Sequence, residues 1–246
     1  MKGLRYDLHL HSCLSPCGDA EMTPASIAGM ARICGAQIIA LSDHNSAENL
    51  PAVEKACQRH GILLLPAIEL NTAEEIHLLG YFPTVEAALD MGREIYRRLP
   101  QIPCREEIFG SQVIMDSEDH EIGRVEKLLI SAADLSLERA VQEIDARGGI
   151  AVPAHVDRDS YSALSVLGIL PEEPRFAAVE LRDMARREEL EESGRLPRNM
   201  ELLTSSDAHY LWDMREKEEL SCIGEDSVLW PLIRTLPGAE TCLRES

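Results

Sequence analysis

Apolar residues fall into two alternating kinds of stretch along the chain: short aliphatic runs, and longer segments whose apolar positions recur every three to four residues. The runs LRYDLHL (4–10), QIIALS (37–42), ILLLPAIEL (62–70), IHLLGYF (76–82), GIAVPAH (149–155), AAVEL (177–181) and ELLTSSD (201–207) predict strands. Between them, Thr23 and Pro24 predict a helix start, with Ile27, Met30, Ala31 and Cys34 on one face and Gly35 as the stop. Thr84 opens a second such segment, carrying Val85, Ala88, Leu89, Ile95 and Leu99 up to Pro100. Ser136 opens a third, with Leu137, Ala140, Val141 and Ile144 inward before Gly148 and Gly149. This alternation predicts an α/β fold, a parallel barrel or a wound sheet. Residues 101–135 break the rhythm, because SQVIMDSEDHEIGRVEKLLIS places a polar turn between β-like runs, and an inserted hairpin or cap is expected there. The run RDMARREELEESGRLPRN mixes charge signs at helical separations and is expected to be a solvated helix and loop.

A chain of 246 residues that is 45% hydrophobic can bury one large core, so a single domain over 1–246 with an insertion at about 101–135 is expected. No apolar run approaches the roughly 20 residues of a membrane span, and the opening MKGLRYD lacks a signal-peptide core, so the expected location is cytoplasmic, with no membrane partner. Seven scattered cysteines suit reduced thiols rather than a disulfide framework. The net charge of -19 disfavours long nucleic acid and anionic membranes as partners. Acids gathered around bound cations count toward that total without repelling a phosphorylated substrate.

Side chains two apart on a strand share a face, so His9 and His11 can converge on one point. On its own this pattern is weak, and the other polar residues at strand ends strengthen it. The second run leads into Asp43 and His44, and the third buries Glu69 in apolar surroundings, which is costly without a cation or hydrogen-bond partners. The fourth holds His77, the fifth ends in His155, and the last ends in Asp207 with His209 two residues on. Ligands at the carboxyl ends of successive strands sit where α/β barrels build active sites. His60 and His120 fall outside the scheme. Imidazoles mixed with carboxylates suit zinc, manganese or iron, and this many donors exceeds one tetrahedral ion, so a multinuclear site with Glu69 bridging two ions is expected. Asp43 suits either a role orienting a ligand or a helix cap. Arg158, three residues after His155, suits a grip on phosphate, or else a surface ion pair.

The motifs DLHLHS, GAQIIALSDHN, LPAIEL, IHLLGYF, PAHVDR and SSDAH, in this order, resemble the PHP (polymerase and histidinol phosphatase) domain family over nearly the whole chain. The resemblance implies a distorted seven-stranded (β/α) barrel with a trinuclear metal cluster, and for a stand-alone member a phosphoesterase. It further implies one ion on His9, His11, Glu69 and Asp207, a second on Glu69, His77 and His155, and a third on His44, His209 and a residue of the first loop. Many members place Ser-Asp-Gly in that loop, whereas this chain reads SCLSPCGDAEM. Asp19 is the expected donor, with Glu21 next and Cys17 after it; a packed thiol is the simpler reading of Cys17.

The expected reaction is hydrolysis of a small phosphorylated metabolite or nucleotide by a metal-bound hydroxide, between two ions about 4 Å apart. Glu69, Asp207, His209 and Arg158 are its expected catalytic residues. Three alternatives stand beside it: an amidohydrolase-like hydrolase, a nuclease, and a non-catalytic metal-binding regulatory module. Amidohydrolases also begin on His-x-His, but Glu69 and the Asp207 and His209 pair fit the PHP pattern better.

Overall fold

A computed structural model describes residues 3–245. The strands are β1 (Leu4–Leu10), β2 (Ile38–Leu41), β3 (Leu63–Leu64), β4 (Ala67–Asn71), β5 (His77–Tyr81), β6 (Val113–Met115), β7 (Glu121–Arg124), β8 (Ile150–Pro153), β9 (Ala178–Glu180), β10 (Glu201–Leu203) and β11 (Ser221–Ile223). The helices are α1 (Pro24–Cys34), α2 (Leu50–His60), α3 (Val85–Arg98), α4 (Glu106–Phe109), α5 (Leu137–Asp145), α6 (Ala163–Leu167), α7 (Arg187–Glu192), α8 (Trp230–Ile233) and α9 (Ala239–Glu245). None is long and apolar enough to cross a membrane.

The three expected helices form for the expected reasons. The hydroxyls of Thr23, Thr84 and Ser136 each accept a first-turn N–H, and Gly35 ends α1 in the left-handed region at φ 78°. The third predicted strand is broken into β3 and β4 at Leu65 and Pro66, where a proline cannot continue the ladder. The segment at 101–135 does hold a hairpin, β6 against β7.

One expectation fails. The fourth strand, β5, is antiparallel to both β4 and β8, so the sheet is mixed rather than parallel. Only residues 72–76 separate β4 from β5, far short of the dozen or so a parallel crossover needs. This reversal places His77, the first residue of β5, at the rim where β4 ends, opposite Asn71.

Backbone hydrogen bonds lead from strand to strand in a circuit. β1 pairs with β2, and β2 with β3. The chain beyond β2 bonds to β4 through Asn45 N–H to Glu69 O at 2.9 Å. β4, β5 and β8 then follow, Val156 N–H reaches Glu180 O at the end of β9 at 2.8 Å, and β9 pairs with β10. Finally, His11 N–H returns to Ala208 O at 3.0 Å.

Two apolar cores lie on the two faces of this circuit. Leu4, Tyr6, Leu8, Ile38, Ala40, Leu79, Tyr81, Val152, Ala178 and Leu203 share one, with Leu232, Ile233 and Leu236 packed among them. The intervening residues Ile39, Leu41, Ile68, Leu70, Leu78 and Val179 belong to the other, beside residues of α1, α2, α3 and α5. The inner face is bridged by the Tyr81 hydroxyl, which donates to Leu8 O at 3.0 Å. Period-two alternation thus sends every second strand residue inward, and at the rim the inward positions become polar.

Candidate metal centre

A register shift in β1 sets the site's first two ligands. Between Asp7, opposite Ile39, and Leu10, opposite Leu41, one strand carries an extra residue. Leu8 is inward, yet Leu10 joins the outer core, so the phase changes at His9 and both His9 and His11 turn to the interior. Such bulges re-aim side chains next to functional sites. Glu69 on β4 and Glu180 on β9 reach the same interior by ordinary alternation from the inward Ala67 and Ala178.

Glu69 is the hub. Its Oε1 lies 3.4 Å from His9 Nε2, 2.9 Å from His77 Nδ1 and 3.1 Å from His155 Nε2. Its Oε2 lies 3.4 Å from His11 Nε2 and 3.0 Å from His44 Nδ1. Asp207 Oδ1 stands 3.4 Å from His9 Nε2 and 3.3 Å from His11 Nε2, and those two nitrogens are 3.2 Å apart. The ring of His209 stacks on His11 with centroids 4.1 Å apart. The structure therefore gathers His9, His11, His44, Glu69, His77, His155, Asp207 and His209 at one point. Asp19 is not among them, because its Oδ1 accepts the Glu21 N–H at 2.9 Å in a turn. Arg158 Nη1 donates to Asp207 Oδ2 at 3.0 Å, and Arg158 lines the cavity. His120 is exposed beside Asp116, and His60 ends α2 on the surface.

The donor set fits divalent metal ions. Ligand atoms on a four-coordinate ion held at about 2.1 Å are about 3.4 Å apart, and His9 Nε2 and His11 Nε2 stand 3.2 to 3.4 Å from one another, from Asp207 Oδ1, and from Glu69 Oε1 and Oε2 respectively. His44 Nδ1 and Glu69 Oε2 are buried without a hydrogen-bond partner although they lie 3.0 Å apart, so they are mutually misaligned for a hydrogen bond. Two buried polar atoms beside one another with no hydrogen bond between them are what a shared cation would take up. Three groups in particular bring their donor atoms within 4.8 Å of one another: His9, His11 and Glu69; His44, Glu69 and His77; and His11, His44 and His209.

Hydrogen bonds behind the cluster fix which ring nitrogen faces it. His9 Nδ1 donates to Glu180 Oε2 at 2.9 Å, leaving Nε2 toward Glu69 and Asp207. His11 Nδ1 donates to Ser15 Oγ at 3.0 Å, and Ser15 in turn donates to Asp43 Oδ1 at 2.7 Å. Asp43 also accepts Ser12 N–H at 2.7 Å and Ser12 Oγ–H at 2.6 Å, so it anchors the loop that holds His11 in place. Glu180 escaped the sequence reading, although an acid embedded in the apolar run AAVEL carries the same signal as Glu69. It also accepts the His155 N–H at 3.0 Å. Replacing it (Glu180→Gln) is expected to weaken metal binding about 10- to 100-fold while the protein stays folded, as read by competitive metal titration and a thermal melt.

The backbone is strained at the same place. His155 at φ 29°, Asp207 at φ 54° and Asn45 at φ 53° are non-glycine residues in the left-handed region, a cost that well-supported functional sites carry. Asn45 is held by donating to Leu129 O at 2.6 Å and Ser131 O at 2.9 Å.

Charge is balanced within the cluster. Burial lowers His9, but Glu180, Glu69 and Asp207 outweigh it and hold the ring well above the usual imidazole range. His11 and His44 are likewise raised to about 9 against burial, by Asp207 and Glu69 around the first and chiefly by Glu69 around the second. Burial drives His77 down to about 4 and, with His11 beside it, His209 down to about 3. Against its own burial, Glu69 is kept well below the carboxylate range by His77, His9 and His44. Protons on His9, His11 and His44 thus occupy the place of cations, so metal uptake expels them and tightens as pH rises toward 9.

The cluster opens into a cavity of about 260 Å³ whose wall includes Cys17, Ile130, Arg158 and Tyr161, the last stacked on His77 at 4.9 Å. A wider cavity of about 460 Å³ lies between α3 and the β6–β7 hairpin. Its arginines, Arg93, Arg97 and Arg124, are each paired with a neighbouring acid, and no histidine lines it.

Comparison with known proteins bears on what such a centre does. A family model described as the PHP domain matches residues 7–144. A 5'-3' exoribonuclease of Haemophilus influenzae is 24% identical over 190 residues, taking in 61% of this chain and 68% of the relative. The lesion-specific endonuclease PfuEndoQ from Pyrococcus furiosus superposes with a TM-score of 0.62 at 18% identity over 94% of this chain, which spans 55% of that protein's length. An amidohydrolase from Chromobacterium violaceum, solved with bound sulfate, gives 0.59 at 20% identity, over 95% of this chain and 97% of its own. Likeness at these identities is one of fold. A net charge of -19 does not by itself decide what such a centre binds. That charge is a sum over the whole surface, whereas the field at a metal site is set locally.

Proposed function

Because this chain belongs to the PHP domain family and is a metal-dependent hydrolase, we propose that it is a phosphoesterase working at a trinuclear centre. The observation that carries this reading is Glu69, whose two oxygens together lie within 3.4 Å of five imidazoles. In this reading the circuit of strands is a distorted seven-stranded barrel forming one domain over 1–246, and the segment at 101–135 is its cap. One ion is held by His9, His11, Glu69 and Asp207, and a second by Glu69, His77 and His155. The third is held by His44 and His209 with one further donor. Imidazole and carboxylate donors favour zinc, manganese or iron.

Bound ions of this kind lower the pKa of a coordinated water and offset charge on the phosphoryl oxygens. The chain's own residues do the rest. Glu69 and Asp207 fix the spacing of the centre, while Glu180 and Ser15 hold His9 and His11 in single tautomers. His209, neutral because burial holds it near 3, is a donor to a cation rather than a proton source. Arg158 presents its guanidinium at the mouth, where its pairing with Asp207 keeps it extended over the cavity. Its planar fork suits two phosphoryl oxygens. Removing it (Arg158→Ala) is expected to lower kcat/KM about 10- to 100-fold, the worth of a charge-assisted hydrogen bond of about 1.5–3 kcal/mol, with metal content unchanged.

The substrate in this reading is a small phosphorylated metabolite or nucleotide. A nuclease is the second reading, favoured by a stacked pair just beyond His209. Tyr210 and Trp212 lie 4.8 Å apart, with Trp212 70% exposed, a platform of the kind on which bases stack. A panel of phosphomonoesters, phosphodiesters, oligonucleotides of increasing length, and cyclic amides and lactones tests both readings. Phosphate release from mononucleotides or small monoesters supports the first, and rates that climb with oligonucleotide length support the second. Hydrolysis confined to amides and lactones overturns both.

A further inference from the structure

The third ion's position differs from the other two in that its assigned donors, His44 and His209, are both imidazoles with no carboxylate between them, while His11 beside them serves the first ion. A cation there needs a further ligand, and an anionic one best offsets its charge. Of the loop acids that sequence spacing nominates, Asp19 is turned away. Its carboxylate caps the Glu21 N–H at 2.9 Å, and its own N–H is bound to His209 O at 2.8 Å, which fixes the turn. Glu21, two residues further on, is not among the residues that line the metal cavity, whereas the likewise exposed Cys17 is. The loop instead presents Cys17, which lines the metal cavity beside His44 and His209. His44 itself is 6% exposed, and its Nδ1 has no hydrogen-bond partner.

Resting on the metal-centre reading above, we infer that Cys17 is a ligand of the third ion, giving it two imidazoles and one thiolate from the chain together with His44 and His209. The thiol gives up its proton to solvent as the sulfur–metal bond forms, so no oxidant or other reactant is needed. A soft sulfur donor makes this position favour zinc over manganese, unlike the positions built from carboxylate and imidazole. It also separates Cys17 from Cys13, which is 2% exposed and whose sulfur points to Val113 O at 3.9 Å.

Cobalt(II) alone is the probe. Full-length protein is stripped, dialysed against cobalt, and read by bound cobalt per chain and by near-ultraviolet sulfur-to-cobalt charge-transfer absorption. The wild-type protein is expected to show that absorption. Cys17→Ser is expected to lose it together with one equivalent of cobalt, and Cys17→Asp to lose it while keeping the equivalent. Cys13→Ser is expected to behave as wild type. Several cobalt ions bound without the absorption, or absorption that persists in Cys17→Ser, overturns the thiolate ligand and leaves the metal-centre reading standing. No cobalt bound at all overturns both.

Discussion

Exchanging the buried hub carboxylate for an amide, Glu69→Gln, is expected to lower phosphoester hydrolysis by about 10³-fold or more, equivalent to about 4 kcal/mol of lost transition-state stabilisation. The side chain keeps its size, so packing around it changes little. What goes is the negative charge that His9, His11, His44, His77 and His155 all share. An amide presents one weaker acceptor and an NH₂ that faces imidazole nitrogens, so two neighbouring cations lose their common ligand. Bound metal per chain should fall by at least one equivalent, as read by elemental analysis beside a kinetic assay. A variant that is inactive with its full metal content would instead make Glu69 a participant in chemistry alone.

Removing the metal is expected to cost stability as well as activity. Each ion that binds only the folded chain adds about 2.7 kcal/mol at a concentration 100 times its Kd. For a chain of this length each kcal/mol is worth about 2–4 °C in Tm, so reloading stripped protein should raise Tm by about 5–10 °C for a single ion. The reason lies in the charge inventory. Stripped protein keeps Glu69 and Asp207 ionised in a buried cluster only by holding protons on His9, His11 and His44. Coincident melts of stripped and loaded protein would argue against buried ligation.

Much of this was legible in the chain because the signals were local and redundant. Thr23, Thr84 and Ser136 each combined a cap with a helical apolar period, and all three helices form. Glu69 announced itself as an acid where apolar residues belong, and the histidines at strand ends converge on it. The direction of β5 was not legible from alternation alone, since it depends on the shortness of the link at 72–76 rather than on any residue in the strand. Glu180 was missed although its context matches that of Glu69. The turn around Asp19 depends on hydrogen bonds to Glu21 and His209 that spacing does not encode. Likewise, the tie from Asp43 through Ser15 to His11 joins residues 28 and 4 positions apart, a contact made only once β1 and β2 are paired.

In the proposed reaction several metal ions around Glu69 together hydrolyse phosphoesters. Titrating stripped protein with zinc or manganese while recording bound metal per chain and phosphate release tests it most directly. Stripped protein is expected to release no phosphate, and the rate to rise on titration and level off only beyond one equivalent of metal. Undiminished release from protein shown to hold no metal would contradict it.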